Sequence, residues 1–426
     1  MGAFSRANSA TRSRSVRSAL SGFALLGVSA LVLSGCASSG ETDSGSTDNL
    51  SLKIGTILPQ TGTLAVLGPP EFAGVDLAVE EINAAEAGIT IDVSHKDSGD
   101  TTTDLATQSA TALIADGVSA IIGAASSGVS KTFIDQVTGA GVVQISPANT
   151  SPDFTDYPDD GYYFRTAPSD VLQGRILGNK ILQDGKTNVA VLYMNDAYGT
   201  GLYENLEMSL EDGGGTVVAK EIFEPASTDF TSAIQTLLAS SPDALVVISF
   251  DEITTIAEQL KGAGFDFANL YGTDGNYGVI GEEDTNVDIA GAQFTNPGVL
   301  APEEFQGKLN ALRTEQGESE LTVFSYAAES YDATTLTALA ALAGGATDGQ
   351  TIRDNLQDVS AGGTVCESFA ECAELLADGE DIDYNGVSGP IEWDDNGDET
   401  EAFVSIFQYK AGNVAEGVEQ VSGTLE

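Results

Sequence analysis

Residues 52–95 read LKIGTIL (52–58), PQTGTLAVLGPPE (59–71), FAGVDLAVEEINAA (72–85), EAG (86–88) and ITIDVSH (89–95). The first run is short, β-branched and stopped by Pro59, which predicts a strand over Leu52–Leu58. Phe72, Val75, Leu77, Val79 and Ile82 then recur near helical spacing, so Phe72–Ala85 is predicted as a helix. Ile89–His95 returns to a strand. A strand, a helix and a second strand in this order form a parallel unit with a covering helix.

The same alternation continues outward. A helix over Leu105–Ala115 follows the cluster Asp100–Asp104, which supplies capping side chains. Ala120–Ile122 is a short buried strand, Ser130–Thr138 a helix and Val142–Ile145 a strand. The pattern then restarts. Tyr162–Thr166 is extended and Val171–Leu182 helical. Strands are predicted at Val189–Tyr193, Val217–Phe223, Ala244–Ile248 and Leu270–Tyr271. Helices are predicted at Leu202–Leu210, Phe230–Leu238 and Ile253–Leu260. Two successive α/β units imply two lobes, and no short-period repeat supports a solenoid. The last third adds helices at Pro302–Arg313 and Phe324–Ala341. Strands at Gly389–Trp393 and Ala402–Gln408 flank the turn Asp394–Asp398. Such leftover elements can pack back on both lobes, so the chain is expected to cross between them more than once.

The N-terminus has a different character. Arg6, Arg12, Arg14 and Arg17 form a basic start, Ala19–Leu33 is apolar but short for a membrane span, and Leu33-Ser34-Gly35-Cys36 follows. This resembles a bacterial lipobox, so residues 1–35 are expected to be a signal peptide and Cys36 the lipidated N-terminus. An ordinary signal peptide with an incidental cysteine is the alternative. Ala37–Asn49, rich in Ser, Gly, Thr and Asp, reads as a flexible tether. The expected location is the outer face of the cell membrane, held by lipid. Processing removes four of 17 basic residues, leaving 13 against 64 acidic ones, a net charge of −51. A surface this acidic repels phosphate backbones, which excludes nucleic acid as a partner. It suits a salty medium, or simply a very soluble exported protein. With Cys36 lipidated, Cys366 and Cys372 remain as an even pair outside the cell, and a disulfide is expected between them, two free thiols being the alternative. No metal site is expected, because the single histidine, His95, lies far from them on a predicted strand.

Open α/β sheets bind ligands beyond the carboxyl ends of their strands, which directs attention to the loops there. Ser126 and Ser127 precede a helix start, where N–H groups favour a carboxylate; plain N-capping is the competing reading. Asp274 lies between glycines on a second-lobe loop and reads as a cation partner or as a turn residue. Tyr198 and Phe250 are pocket walls or core. No GxSxG elbow, nucleophile–base pattern or dinucleotide fingerprint occurs, so no enzyme and no cofactor are expected. Asp394-Asp395-Asn396-Gly397-Asp398 lacks the later glutamate of a calcium loop and reads as a hairpin turn.

Taken in order, KIGTILPQTGTLAVLGPPEFAGVDLAVEEINA, DGVSAIIGAASSGVS, QISPANTSP, VLYMNDAYGTGL, SYDATT and GVSGPIEWDDNGDETEAFVSIFQ resemble the branched-chain amino-acid-binding family of type 1 periplasmic binding proteins. The resemblance covers the chain from Leu52 to its end. It implies two doubly wound parallel-sheet lobes joined by a three-segment hinge, with 50–165 and 298–395 forming one lobe and 166–297 and 396–426 the other. It also implies a monomeric binding protein that delivers an amino acid to the permease and ATPase subunits of an ABC importer. By position, Ser127, Ala148 and Thr150 match the groups that hold a ligand carboxylate. Asp274 stands where an acid, often Glu, holds the ammonium, Tyr198 matches a Tyr that closes over the ligand, and Phe250 and Leu67 occupy positions that are often aromatic. Asp for Glu and Leu for an aromatic are departures that bear on which ligand fits. Other small polar solutes, such as an amide, urea or an aromatic acid, and a partnership with a membrane sensor remain open at this point.

Overall fold

A computed structural model describes residues 49–425 except 283 and 285. The signal-peptide, lipobox and tether readings on residues 1–48 lie outside the described residues.

The chain opens with strand β1 (Leu50–Leu58), helix α1 (Gly68–Ala85), β2 (Ile89–Asp97), α2 (Leu105–Asp116), β3 (Ala120–Gly123), two short helices α3 (Ser127–Ser130) and α4 (Ile134–Thr138), β4 (Val143–Ser146) and β5 (Tyr163–Arg165). These strands form one parallel sheet in the order β2-β1-β3-β4-β5. The expected single helix over Ser130–Thr138 is two: Ser126 caps the first turn with its side chain, and the chain re-enters a helix only at Ile134.

After residues 166–169 the chain builds a second sheet. Its elements are α5 (Asp170–Gln183), β6 (Asn188–Met194), α6 (Ala197–Asp212), β7 (Thr216–Phe223), α7 (Thr231–Ala239), β8 (Ala244–Ile248), α8 (Glu252–Gly262), β9 (Leu270–Gly272) and β10 (Gln293–Pro297). The parallel part runs β7-β6-β8-β9-β10, the same order as the first sheet. Each sheet therefore has one point where the strand order reverses, between β1 and β3 and between β6 and β8. Those reversals open crevices at the carboxyl ends of the strands.

The last third serves both sheets. Helices α9 (Glu303–Gln316), α10 (Ala327–Gly344), α11 (Gly349–Ser360) and α12 (Phe369–Ala377) share a core with the first sheet, as do the small strands β11 (Thr364–Cys366) and β12 (Ile382–Gly386), and β13 (Gly389–Pro390) pairs with β12. Then β14 (Glu401–Lys410) crosses back, pairs antiparallel with β10, and receives β15 (Val414–Thr424) at the edge. The α1–α10 contact is close: a Cβ on Gly74 would stand 2.1 Å from the Ala327 carbonyl oxygen, so only glycine fits there. Cys366 and Cys372 are joined by a disulfide, as their pairing in the sequence suggested.

The Asp394–Asp398 segment is a turn. Asp394 Oδ1 accepts from the N–H groups of Asn396 and Asp398, and Trp393 bridges Glu399. No helix among the described residues is long and apolar enough to cross a membrane.

Candidate functional site

Loops from the two reversal points meet. Leu64 and Leu67 follow β1, Ala125, Ser126 and Ser127 follow β3, and Ala148 follows β4. Opposite them stand Tyr198 after β6, Phe250 after β8, and Asp274 and Gly275 after β9. With Tyr326 they line a small cavity of about 10 Å³. The loops touch across it: the Asp251 N–H donates to the Thr63 carbonyl at 3.1 Å, and the Ser151 hydroxyl donates to the Ala197 carbonyl at 2.9 Å. The cavity is thus held in a closed form.

The polar ends of this cavity differ. On the first-sheet side, Ser126 spends its oxygen on the Val129 N–H as an N-cap, whereas Ser127 only accepts from the Ser151 N–H at 3.3 Å. The Ser127 hydroxyl proton is free for a ligand, and the N–H groups of the first turn lie beside it. Of the two readings for this pair, capping fits Ser126 and the cavity wall fits Ser127.

On the opposite side Asp274 is almost completely buried. Its Oδ1 accepts from Gln173 Nε2 at 2.9 Å and from the Tyr198 hydroxyl at 2.8 Å, and its Oδ2 accepts from the Tyr326 hydroxyl at 2.7 Å. Tyr198 stacks on Phe250 with ring centroids 5.4 Å apart. Burial raises the Asp274 carboxyl above the usual range, and the three hydrogen bonds pull it back. Asp170, also fully buried, is raised well above its ordinary value, first by burial and then by the Asp274 charge. Asp170 is thus raised further than Asp274, and Asp274 is the more readily ionised carboxyl of the pair and the one facing the cavity.

Thr150 departs from expectation. It does not line the cavity, and its hydroxyl donates to Asp170 Oδ2 at 2.9 Å. A hydroxyl has one proton, so that proton cannot also hold a ligand carboxylate. Leu67, Ser127, Ala148, Tyr198, Phe250 and Asp274 all lie in the wall. Tyr326 and Gln173 were not read from the sequence. Tyr326 carries one signal visible only in the backbone, a φ of 61°, which aims its hydroxyl at Asp274 from just before α10.

The lone histidine is structural. His95 Nε2 meets Asp76 Oδ1 at 2.9 Å, and its Nδ1 meets Thr56 Oγ1 at 2.9 Å. Among the described residues no group of three His, Cys, Asp or Glu side chains could hold a metal ion.

Comparison with known proteins gives a consistent picture. Residues 51–413 match the periplasmic binding protein family. A Leu/Ile/Val-binding protein homolog from Brucella melitensis is 28% identical over 253 residues, 58% of this chain and 67% of its own. A chemotactic signal transduction system substrate-binding protein, BasB of Halobacterium salinarum, is 26% identical over 356 residues, 80% of this chain and 82% of its own. Among solved structures, the branched-chain amino acid transporter substrate-binding protein LivJ of Streptococcus pneumoniae, in complex with isoleucine, is 26% identical with a TM-score of 0.70. That alignment covers 88% of this chain and 100% of LivJ.

Proposed function

This chain belongs to the periplasmic binding protein family, and from that premise we propose that it binds an aliphatic amino acid between its two sheets and delivers it to the permease and ATPase subunits of an ABC importer. One observation carries the reading: the buried Asp274 carboxyl faces the Ser127 hydroxyl and its helical turn across one small cavity. An acid at one end suits an ammonium, and hydroxyl and N–H donors at the other suit a carboxylate. Between them, Leu64, Leu67, Ala125 and Phe250 offer apolar wall for a side chain. A zwitterion that touches both sides binds the closed form better than an open one, and that difference drives closure. Thr150 acts indirectly, joining the first-sheet loop to Asp170. The chain works as a monomer with no catalytic step.

Calorimetry with the twenty amino acids tests this, and an aliphatic one should bind tightest. Ser127→Ala should weaken that ligand by about 1–2 kcal/mol, because the turn N–H groups still face the carboxylate. No loss in Ser127→Ala would remove this loop from the carboxylate site. An aromatic acid or an amide would satisfy the donor end alone and leave Asp274 without a cation, which argues against those classes. A second reading, that ligand occupancy is passed to a membrane receptor, is favoured by the Halobacterium salinarum relative named for chemotactic signalling. Both readings need the same ligand site.

We also propose that Cys36 carries the lipid that holds the protein at the outer face of the membrane. Metabolic labelling with a fatty acid should mark the native chain and leave Cys36→Ala unlabelled. Equal labelling of both would refute the anchor.

A further inference from the structure

Tyr326 belongs to two cavities. One is the closed space at Asp274; the other lies at the second crossing of the chain, between β10 and α10, with a volume of about 210 Å³. Its walls include the rings of Tyr277, Phe324 and Phe407, and Tyr277 packs on Phe407 with centroids 4.2 Å apart. Its polar lining holds Asn296, Ser325 and Glu329. Asn296 and Ser325 bond to each other, Ser325 Oγ donating to Asn296 Oδ1 at 3.0 Å. Glu329 is different.

Glu329 is only 3% exposed, yet no other described residue donates a hydrogen bond to its carboxyl group. The backbone is shaped around it: Gly298, at φ +91°, would place a Cβ 2.0 Å from Glu329 Oε1. Burial pushes this carboxyl up to about 8, with Asp332 adding to the rise. Glu71 on α1 and Glu399 both feel the Glu329 charge and are themselves raised well above the ordinary range, mainly by burial. Arg165, the cation that acts on Glu399, is already paired with Asp398. A region so rich in buried acids, open on one side to an aromatic-walled space, is built to receive positive charge.

We propose that this second cavity is a binding site for a small organic ammonium ion, its charge on the Glu329 carboxyl and its apolar body against Tyr277, Phe324 and Phe407. Because Tyr326 also donates to Asp274, an occupant here touches a side chain that completes the amino-acid site, and the two affinities are linked in both directions.

Phenethylamine is a suitable probe, titrated calorimetrically into the purified full chain. Wild type should bind it saturably, whereas Glu329→Gln should bind it at least about tenfold more weakly. Val299→Phe, which adds bulk to the cavity wall and leaves Glu329 in the sequence, should have the same effect and guards against a misfolded Glu329 variant. Absence of saturable binding by the wild type would overturn the proposal. So would binding that Asp274→Asn abolishes and Glu329→Gln and Val299→Phe preserve, because the amine would then occupy the amino-acid cavity.

Discussion

Arg165→Ala is expected to destabilise the protein by about 3–5 kcal/mol, the usual cost of stranding one partner of a buried ion pair. Arg165 is fully buried at the end of β5, where the chain leaves the first sheet. Its Nε and Nη2 each donate to one oxygen of Asp398 at 2.6 Å, a paired contact of guanidinium with carboxylate. Its Nη1 donates to the carbonyls of Asn149 at 3.2 Å and Ser151 at 2.8 Å. One side chain thus ties the loop around Thr150 to the turn through which the chain crosses to β14. Removing it leaves Asp398 buried with a single hydroxyl donor, Thr155 Oγ1 at 2.7 Å, and takes the guanidinium donor from two loop carbonyls. Urea unfolding should show the loss as a lower midpoint. The double variant Arg165→Met with Asp398→Leu should be more stable than Arg165→Ala, since it strands no charge. A midpoint for Arg165→Ala close to that of wild type would mean the pair contributes little, and that another contact holds the loop.

The parts of this architecture that can be read from sequence are those whose burial is periodic. Ile54 and Ile57, or Val189, Val191 and Leu192, sit in strands covered on both faces, and their mainly apolar runs announce it. The later elements carry weaker marks. Helix α11 has Ile352, Leu356 and Val359 as its only buried apolar residues of size, set among polar ones. Strand β15 is mostly exposed and is held by its pairing with β14, a partner that no local pattern identifies. β10 is a central strand of five residues ending in proline, and its place depends on β9 and β14 together. The site divides in the same way. Ser127, Tyr198, Phe250 and Asp274 follow strands directly, so the rule of the carboxyl ends points to them. Tyr326 and Gln173 come to Asp274 from helices distant in the chain. Thr150 could not have been assigned its partner from sequence, because Asp170 competes for its one proton only once the loop and α5 are brought together.

Asp274→Asn should weaken a zwitterionic ligand by roughly 2–4 kcal/mol, one to three orders of magnitude in affinity, while barely affecting a neutral amide. The substitution preserves shape and removes charge, but its new NH₂ group also faces donors. Gln173 and Tyr198 point at one oxygen and Tyr326 at the other, so whichever side the amide nitrogen takes meets a hydrogen already aimed at it. The loss is therefore Coulombic and steric in origin, and it is larger than for Ser127→Ala, where neighbouring N–H groups remain. The pH dependence separates this from a general loosening of the pocket. In the free protein burial holds the Asp274 carboxyl above its ordinary value; a bound ammonium favours the charged form and lowers it. Affinity is then complete above the free-state value, and falls as the pH drops through it, because the ligand must first drive a proton off Asp274. Asp274→Asn should bind weakly at all pH values and lose that slope. Calorimetry from neutral to mildly acidic pH would show both features. If wild type and Asp274→Asn bound the best amino acid equally, or kept the same slope, the ammonium would be held elsewhere in the cavity and the ligand class would have to be sought among neutral solutes.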